Sequence, residues 1–180
     1  MHEILETKDR DSMIRLAFFD IDGTISAPLY RMENGSLGIG WPKEGWMSFC
    51  REHPQDAYAE CRPVLPVKRY AEALRARGAK LYALSTMELP EERSSKLVFL
   101  EKHFPGMFEE LLGPEEDAQK VDIIREIAAR EGAKISECEL VEDTYRTLLL
   151  ANEAGIRCTH VSHLLTEEAW NVEDYATAVE

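Results

Sequence analysis

The stretch Leu16-Ala17-Phe18-Phe19-Asp20-Ile21-Asp22-Gly23-Thr24 decides the fold of this chain. Its first part predicts a short buried strand, because the run is continuously apolar and is bounded by polar residues. Two carboxylates follow the strand, and in open α/β sheets ligands bind at the carboxyl ends of strands. Gly23 permits a tight turn whose free amides can cradle an anion. An ordinary Asp-rich turn is the alternative, so the rest of the chain has to decide.

Composition excludes several classes of protein. The 180 residues are enough for one sizeable core, so we expect a single domain over residues 1–180. A net charge of −13 argues against a general nucleic-acid partner, which needs a basic face, but it does not exclude a small anionic substrate. No apolar run approaches the roughly 18 residues of a membrane span, and the charged segment Met1–Arg15 has no apolar signal core. We therefore expect no membrane partner and no export.

Cysteine usage indicates the redox compartment. The chain has four cysteines that lie far apart and show no C-x-x-C spacing: Cys50, Cys61, Cys138 and Cys158. Such spacing does not indicate a zinc site or a disulfide framework, and we expect reduced thiols in a cytoplasmic protein.

Strand and helix patterns alternate after the first strand. Apolar runs predict further strands at 81–86, 110–113, 139–142 and 156–161, with amphipathic helices between them. One of these helices opens at Pro90 and is expected to bury Leu97, Leu100 and Phe104, and a final short helix from Thr166 follows the last strand. Such alternation predicts an α/β three-layer sandwich with a mostly parallel, five-stranded, Rossmann-like sheet.

Residues 25–66 interrupt this alternation. The segment is too long for a structureless loop in a compact domain, so we expect a small cap or flap inserted after the first strand. Asn34-Gly35 predicts a hairpin turn, and Pro42 predicts the start of a short helix. Among its aromatic residues we expect Trp46 and Phe49 to pack on the main domain, and Trp41 to face a site.

Polar side chains end three of the predicted strands. Right-handed crossovers place the carboxyl ends of parallel strands at one edge, so we expect the following side chains to lie close together: Asp20, Asp22, Ser85, Glu142 and Asp143. Carboxylates that meet in one crevice need a cation to stay ionised. Carboxylate and water oxygens suit Mg²⁺, which also shares its coordination shell with phosphate.

Together these groups are typical of phosphoryl transfer. An Asp carboxylate can attack phosphorus, and a second carboxyl two residues on can protonate the leaving oxygen and then activate water. A metal ion and Lys120 would neutralise the charge on the other phosphoryl oxygens. Two plainer interpretations stay open at this point: Lys120 as a solvated surface lysine, and Asp143 as the N-cap of the next helix.

The pattern resembles the haloacid dehalogenase (HAD) superfamily, in a small-cap or capless form. Asp20-Ile21-Asp22-Gly23-Thr24 is similar to the first motif of that superfamily, Ser85 after an apolar strand to the second, Lys120 to the third and Glu142-Asp143 to the fourth. The resemblance extends from about residue 16 to residue 161. It implies a phosphatase or phosphomutase, because dehalogenase members lack an acid at the position of Asp22.

The resemblance also implies a role for each motif residue. Asp20 would be the nucleophile and Asp22 the general acid and base. Magnesium would be held by Asp20, the backbone carbonyl of Asp22 and Asp143, with Glu142 as an extra ligand or a residue behind the ligands. The phosphoryl group would be bound by Ser85, Thr86, Lys120, Gly23 and Thr24.

We therefore expect a magnesium-dependent phosphomonoester hydrolase that acts through an aspartyl-phosphate. Its substrate would be a small phosphorylated metabolite such as a nucleotide or sugar phosphate, and a homo-oligomer is compatible with the sequence. Two alternatives remain: a phosphoacceptor signalling domain such as a response-regulator receiver, and a catalytically silent binding protein on the same fold.

Overall fold

The computed structural model describes residues 13–165. The polar lead-in over residues 1–12 and the helix expected from Thr166 lie outside the described residues. In chain order the elements are β1 (Leu16–Phe19), β2 (Ser26–Ala27), β3 (Tyr30–Arg31), β4 (Leu37–Gly38), α1 (Lys43–Glu52), β5 (Arg62–Pro63), α2 (Leu65–Ala76), β6 (Lys80–Leu84), α3 (Pro90–His103), β7 (Leu111–Leu112), α4 (Lys120–Arg130), β8 (Cys138–Glu142), α5 (Tyr145–Glu153), β9 (Arg157–His160) and α6 (Val161–Leu164).

A five-stranded, all-parallel sheet forms the centre, in the order β7-β6-β1-β8-β9. The predicted fold class is thereby confirmed. Numbered along the sheet's own strands, the order is 3-2-1-4-5, with β1 in the middle. Response-regulator receivers have the flavodoxin-like order 2-1-3-4-5, so the receiver alternative is wrong on topology.

The side chains of β1 divide the core between the two faces of the sheet. Ala17 and Phe19 belong to the cluster that includes buried residues of α2 and α3, whereas Leu16 and Phe18 pack with those of α4 and α5. All four side chains are buried, which explains why the strand is continuously apolar. Full burial of one large apolar side chain contributes about 1.5–3 kcal/mol to the free energy of folding, so packing on both faces of the sheet stabilises β1.

The insertion after β1 contains two small antiparallel pairs and one helix. Asn34-Gly35 forms the predicted turn between β3 and β4, and Gly35 has a φ of 79° that suits glycine. α1 begins directly after Pro42, as predicted. β2 pairs with β5, so the two ends of the insertion are held together beside the carboxyl end of β1.

The buried face of α3 differs from the prediction. Leu97 is 46% exposed, and the buried side chains of this helix are Glu92, Ser95, Lys96, Phe99 and Leu100. The hydroxyl of Ser95 accepts a hydrogen bond from the amide of Ala57 and donates one to the carbonyl of His53, both in the insertion. The insertion therefore packs against α3, which explains why polar residues of this helix are buried.

Two further features of the described chain bear on the sequence analysis. All four cysteines carry free thiols, as expected. None of the helices within residues 13–165 combines the length and the apolar character that crossing a membrane requires.

Candidate active site

Three neighbouring strands end in polar residues at the same edge of the sheet. Asp20 follows β1, Ser85 follows β6, and Glu142 is the last residue of β8, with Asp143 directly after it. One carboxylate oxygen from each of Asp20, Glu142 and Asp143 lies within 4.8 Å of the others. The structure therefore brings together carboxylates that are more than 120 residues apart in sequence.

Lys120, the first residue of α4, is buried against these carboxylates. Its Nζ lies 2.9 Å from Asp20 Oδ1 and 2.7 Å from Glu142 Oε2, with Asp117 Oδ1 at 3.2 Å. Its side chain is only 2% exposed, so the surface interpretation of this lysine is wrong. Burial opposes its charge, but the two buried carboxylates outweigh that effect and raise the pKa of Lys120.

Glu142 and Asp143 have different surroundings. The Oε1 atom of Glu142 accepts hydrogen bonds from the amides of Asp143 and Thr144, both at 3.2 Å, while Oε2 accepts from Lys120. Both of its oxygens therefore have protein partners. Asp143 is exposed, and it is not the N-cap of α5, because that position is Thr144. The backbone carbonyl of Asp143 lies 2.9 Å from Nε2 of His160, which ties the turn to β9.

The donor set fits a magnesium ion. Burial raises the pKa of the Asp20 carboxyl, and burial together with the charge of Asp20 raises the pKa of Glu142. The single charge of Lys120 therefore does not fully compensate the negative charge of these carboxylates, and a bound cation would stabilise them further. Three carboxylates within reach of one another, one of them exposed, match the oxygen ligands that Mg²⁺ prefers. Since both oxygens of Glu142 already have partners, Asp20 and Asp143 are better suited to direct coordination.

Gly23 and Thr24 shape the turn after β1. The amide of Gly23 donates to the carbonyl of Ser26, and the amide of Thr24 donates to that of Ile21, so neither amide faces outward to an anion. The side chain of Thr24 is fully buried. The expectation that these two residues cradle phosphate is therefore not supported by the geometry. Gly23, with a φ of 80°, allows the close approach of Asp143.

Asp22 lies in a separate hydrogen-bonded group. Its Oδ1 accepts from the hydroxyls of Tyr30 and Tyr58, both at 2.8 Å, and its Oδ2 lies 3.0 Å from Nζ of Lys96. Burial works against the charged form, but the ammonium group of Lys96 and the two hydroxyls outweigh it and lower the pKa of Asp22. The two acids of the first motif are thus held by different lysines.

Lys96 also connects Asp22 to the end of β6. Its Nζ donates to the Ser85 hydroxyl and to the Thr86 carbonyl, each at 2.9 Å, and lies 3.0 Å from Glu92 Oε1. Ser85 and Thr86 therefore lie beside Asp22, and Lys120 lies beside Asp20. The predicted phosphate-binding side chains of Ser85 and Lys120 are thus next to the two acids.

Sequence reasoning missed Lys96 and Tyr58. Glu92 and Lys96 have the i, i+4 spacing of an ordinary surface ion pair, so the sequence offers no sign that this pair is buried. Tyr58 lies between α1 and β5, in a stretch without helical or strand periodicity. No local signal marks it.

A cavity of about 310 Å³ opens beside Asp22. Trp46 lines it, whereas Trp41 stacks on Phe49 at a centroid distance of 5.1 Å and lines a different groove. The expectation that Trp41 faces the site was therefore wrong. α1 begins directly after Pro42, and its first turn directs Trp46 toward the site edge. The other cavity residues include the acids Glu88, Glu92, Glu115, Glu116 and Asp117.

No protein-family model matches the chain, and no curated protein is significantly similar to it. Solved structures do share its fold. A proposed phosphoglycolate phosphatase from Lactobacillus delbrueckii is 15% identical, with a TM-score of 0.60 over 83% of this chain and 86% of that one. A predicted HAD-like family hydrolase from Porphyromonas gingivalis is 17% identical, with a TM-score of 0.50 over 83% and 91%.

A third structure is the N-terminal part of a Bacteroides fragilis protein that contains a phosphatase domain, solved with Mg. It is 16% identical, with a TM-score of 0.50 over 83% of this chain and 36% of that one. At these identities the similarities concern the fold. The resemblance to the HAD superfamily drawn from the motifs is confirmed at that level: the described chain has the fold of HAD-like hydrolases.

Proposed function

We propose that this protein is a magnesium-dependent phosphomonoester hydrolase that acts through an aspartyl-phosphate at Asp20. The observation that carries the proposal is the position of Asp20, which directly follows the central strand. Its Oδ1 accepts a hydrogen bond from Lys120, and one of its oxygens lies within 4.8 Å of one carboxylate oxygen of Glu142 and of Asp143. A nucleophilic carboxylate, a buried cation and a cation-binding acid pair are the groups that phosphoryl transfer needs. The HAD-like fold supports the same conclusion.

Asp20, Asp143 and the backbone carbonyl of Asp22 would hold Mg²⁺, with Glu142 behind them. When bound, the ion would neutralise charge on the phosphoryl oxygens. The hydroxyl of Ser85 and the ammonium group of Lys120 would bind those oxygens from opposite sides of the nucleophile. Lys120 would then have a second role, because its ammonium group also orients Asp20 and favours the ionised carboxylate.

The reaction would proceed in two displacements. In the first, a carboxylate oxygen of Asp20 bonds to phosphorus, the bond from phosphorus to the leaving oxygen breaks, and that oxygen takes a proton from the Asp22 carboxyl. A bound phosphoryl dianion supports this protonated form, because a like charge disfavours the ionised carboxylate. In the second, Asp22 removes a proton from water, the water oxygen bonds to phosphorus, and the bond to Asp20 breaks.

The cavity beside Asp22 supports a small leaving group without negative charge. Its volume of about 310 Å³ suits a compact group, and the six acids in its lining, Asp22 included, repel anions. Lys43, the cationic side chain in the lining, lies 2.7 Å from Glu88 and is offset by it. A sugar phosphate, which is one of the substrates that the sequence suggests, therefore fits better than an ester whose leaving group carries a carboxylate.

Replacement of the nucleophile tests the proposal. The wild type should hydrolyse p-nitrophenyl phosphate with Mg²⁺ and lose that activity with EDTA, and Asp20→Asn should be at least about 10³-fold slower with an unchanged fold by circular dichroism. Asp122→Asn, an exposed aspartate on α4, is the matched control and should keep the wild-type rate. Wild-type turnover by Asp20→Asn would refute the nucleophile. A folded wild type that is inactive on aryl, sugar and nucleoside phosphates would favour the silent binding protein.

A further inference from the structure

The insertion reaches the carboxylate of Asp22 through two tyrosines. Tyr30 of β3 donates a hydrogen bond to Oδ1 at 2.8 Å. Tyr58, from the turns between α1 and β5, lies 2.8 Å from Oδ1 and 3.0 Å from Oδ2. Both hydroxyls come from residues 25–66, the segment that the sequence predicted as a small cap or flap.

Both tyrosine rings are fixed by packing. Tyr30 is 6% exposed and Tyr58 is 3% exposed. The rings meet edge to face at a centroid distance of 5.8 Å, and Trp46 packs on both of them at 4.7 and 5.7 Å. Phe99 of α3 supports Tyr58 from the main domain. A hydroxyl on such a ring has few positions available, so it holds its acceptor in one orientation.

Asp22 itself is not fixed by burial. Its side chain is 37% exposed and lines the cavity beside the sheet edge. Lys96 restrains only Oδ2, whereas both tyrosines bond to Oδ1 and Tyr58 also contacts Oδ2. Without the two hydroxyls, the carboxylate would be free to turn about the contact with Lys96.

We propose that Tyr30 and Tyr58 are positioning residues that aim the Asp22 carboxyl at the oxygen of the leaving group, so that the insertion takes part in proton transfer. This inference rests on the proposed function. Neither tyrosine gives or takes the transferred proton, which passes between Asp22 and the leaving oxygen. The tyrosines determine only where the carboxyl points when that oxygen departs, and orientation of this kind strongly affects proton-transfer rates.

Leaving groups of different basicity separate positioning from a structural role. An alkoxide must be protonated as it leaves, whereas p-nitrophenolate departs without a proton. The value of kcat/KM covers the steps up to departure of the leaving group, so the comparison excludes hydrolysis of the phospho-enzyme. The experiment measures kcat/KM for glycerol phosphate and for p-nitrophenyl phosphate in wild type, Tyr30→Phe, Tyr58→Phe and the double variant.

Tyr58→Phe should lower kcat/KM for glycerol phosphate at least about tenfold more than for the aryl ester, and the double variant should widen that ratio. Tyr70→Phe is the matched control. It removes a half-buried tyrosine hydroxyl that bonds to Glu139 at 2.9 Å, and it should leave the ratio unchanged. An equal loss on both substrates by Tyr58→Phe would overturn the inference, since that is what a merely structural role produces.

A second measurement does not depend on turnover. In a double-mutant cycle of Tyr58→Phe and Asp22→Asn, the changes in Tm should be non-additive, because the two side chains share a hydrogen bond. Additive changes would contradict the contact and the inference with it. If the cycle shows coupling and the wild type hydrolyses no phosphate ester, the proposed function fails, and the positioning role fails with it.

Discussion

The ammonium group of Lys96 lies 3.0 Å from Oδ2 of Asp22, and the side chain of this lysine is completely buried. It donates as well to Ser85 and Thr86 and lies 3.0 Å from Glu92. Burial opposes the charge of Lys96, but these acidic neighbours outweigh that effect and raise its pKa. One buried cation therefore joins the insertion-facing side of the site to the end of β6.

Replacing Lys96 should destabilise the protein. Lys96→Met leaves two acids without their cation, and we expect the free energy of unfolding to fall by about 2–4 kcal/mol, less than for a fully buried pair because Asp22 is 37% exposed. Urea denaturation checks this value. Lys102→Met, at an exposed position of the same helix, should change stability by less than about 0.5 kcal/mol. Equal stability of Lys96→Met and wild type would contradict a role for this charge.

Substitution of Gly23 should damage both stability and magnesium binding. A Cβ at this position would lie 2.2 Å from Oδ2 of Asp143, and the φ of 80° is strained for any other residue. Gly23→Ala should therefore cost about 1–3 kcal/mol and displace a candidate ligand. Gly78→Ala is the matched control, because its φ is 92° but its Cβ would meet no atom within 4 Å. Gly78→Ala should show the destabilisation from backbone strain alone, with magnesium binding unchanged. An identical result for both variants would rule out the contact between Gly23 and Asp143.

Magnesium should raise the Tm of the wild type. An ion at a hundredfold excess over its Kd stabilises the native state by about 2.7 kcal/mol, which corresponds to several degrees in a chain of this length. Asp143→Asn should lose most of this increase, whereas Asp56→Asn, at an exposed position of the insertion, should keep it. Differential scanning fluorimetry with and without EDTA provides the measurement. An undiminished increase in Asp143→Asn would remove this residue from the set of ligands.

Glu139 should make stability depend on pH. Burial raises its pKa above the ordinary 4.5, and the hydrogen bonds from Thr159 and Tyr70 only partly offset that effect. The native state then binds more protons than the unfolded state, so wild-type stability is lost as the pH rises from about 4.5 through the raised native pKa.

Glu139→Gln removes the titrating carboxyl and with it the loss of stability at rising pH. Its Tm minus that of the wild type should increase with pH over that window, as measured by thermal melts in a series of buffers. Glu137→Gln should give the opposite trend below about pH 4.5, because the amide of Lys134 donates to Glu137 and lowers its native pKa. A flat difference for Glu139→Gln would mean that the carboxyl titrates alike in both states.

Acids in the cavity should discriminate against anionic leaving groups. Glu115→Lys should raise kcat/KM for phosphoglycolate relative to glycerol phosphate, and the gain should shrink in about 1 M salt because screening weakens charge interactions. Glu126→Lys changes the net charge equally at an exposed position of α4 that does not line the cavity. If both variants shift the preference equally, net charge rather than the cavity determines it.

Local sequence patterns determined the elements and their order. The apolar run of β1 predicts a strand buried on both faces, and Asn34-Gly35 predicts the turn between β3 and β4, because periodicity and turn chemistry act over a few neighbouring residues. The alternation of strands and helices then implies a parallel sheet. From that sheet follows the meeting of Asp20, Ser85 and Asp143 at one edge, since parallel strands present the same end there.

Tertiary structure alone decided which partners those residues have. Lys96 comes from a helix that looks like a surface helix in sequence, and Tyr58 lies 36 residues from the carboxylate it holds. The amides of Gly23 and Thr24 are used within their own turn, and Trp46 rather than Trp41 lines the cavity. Such contacts depend on how the insertion packs against α3, and packing is a property of surfaces that are distant in sequence. No local pattern therefore determines them.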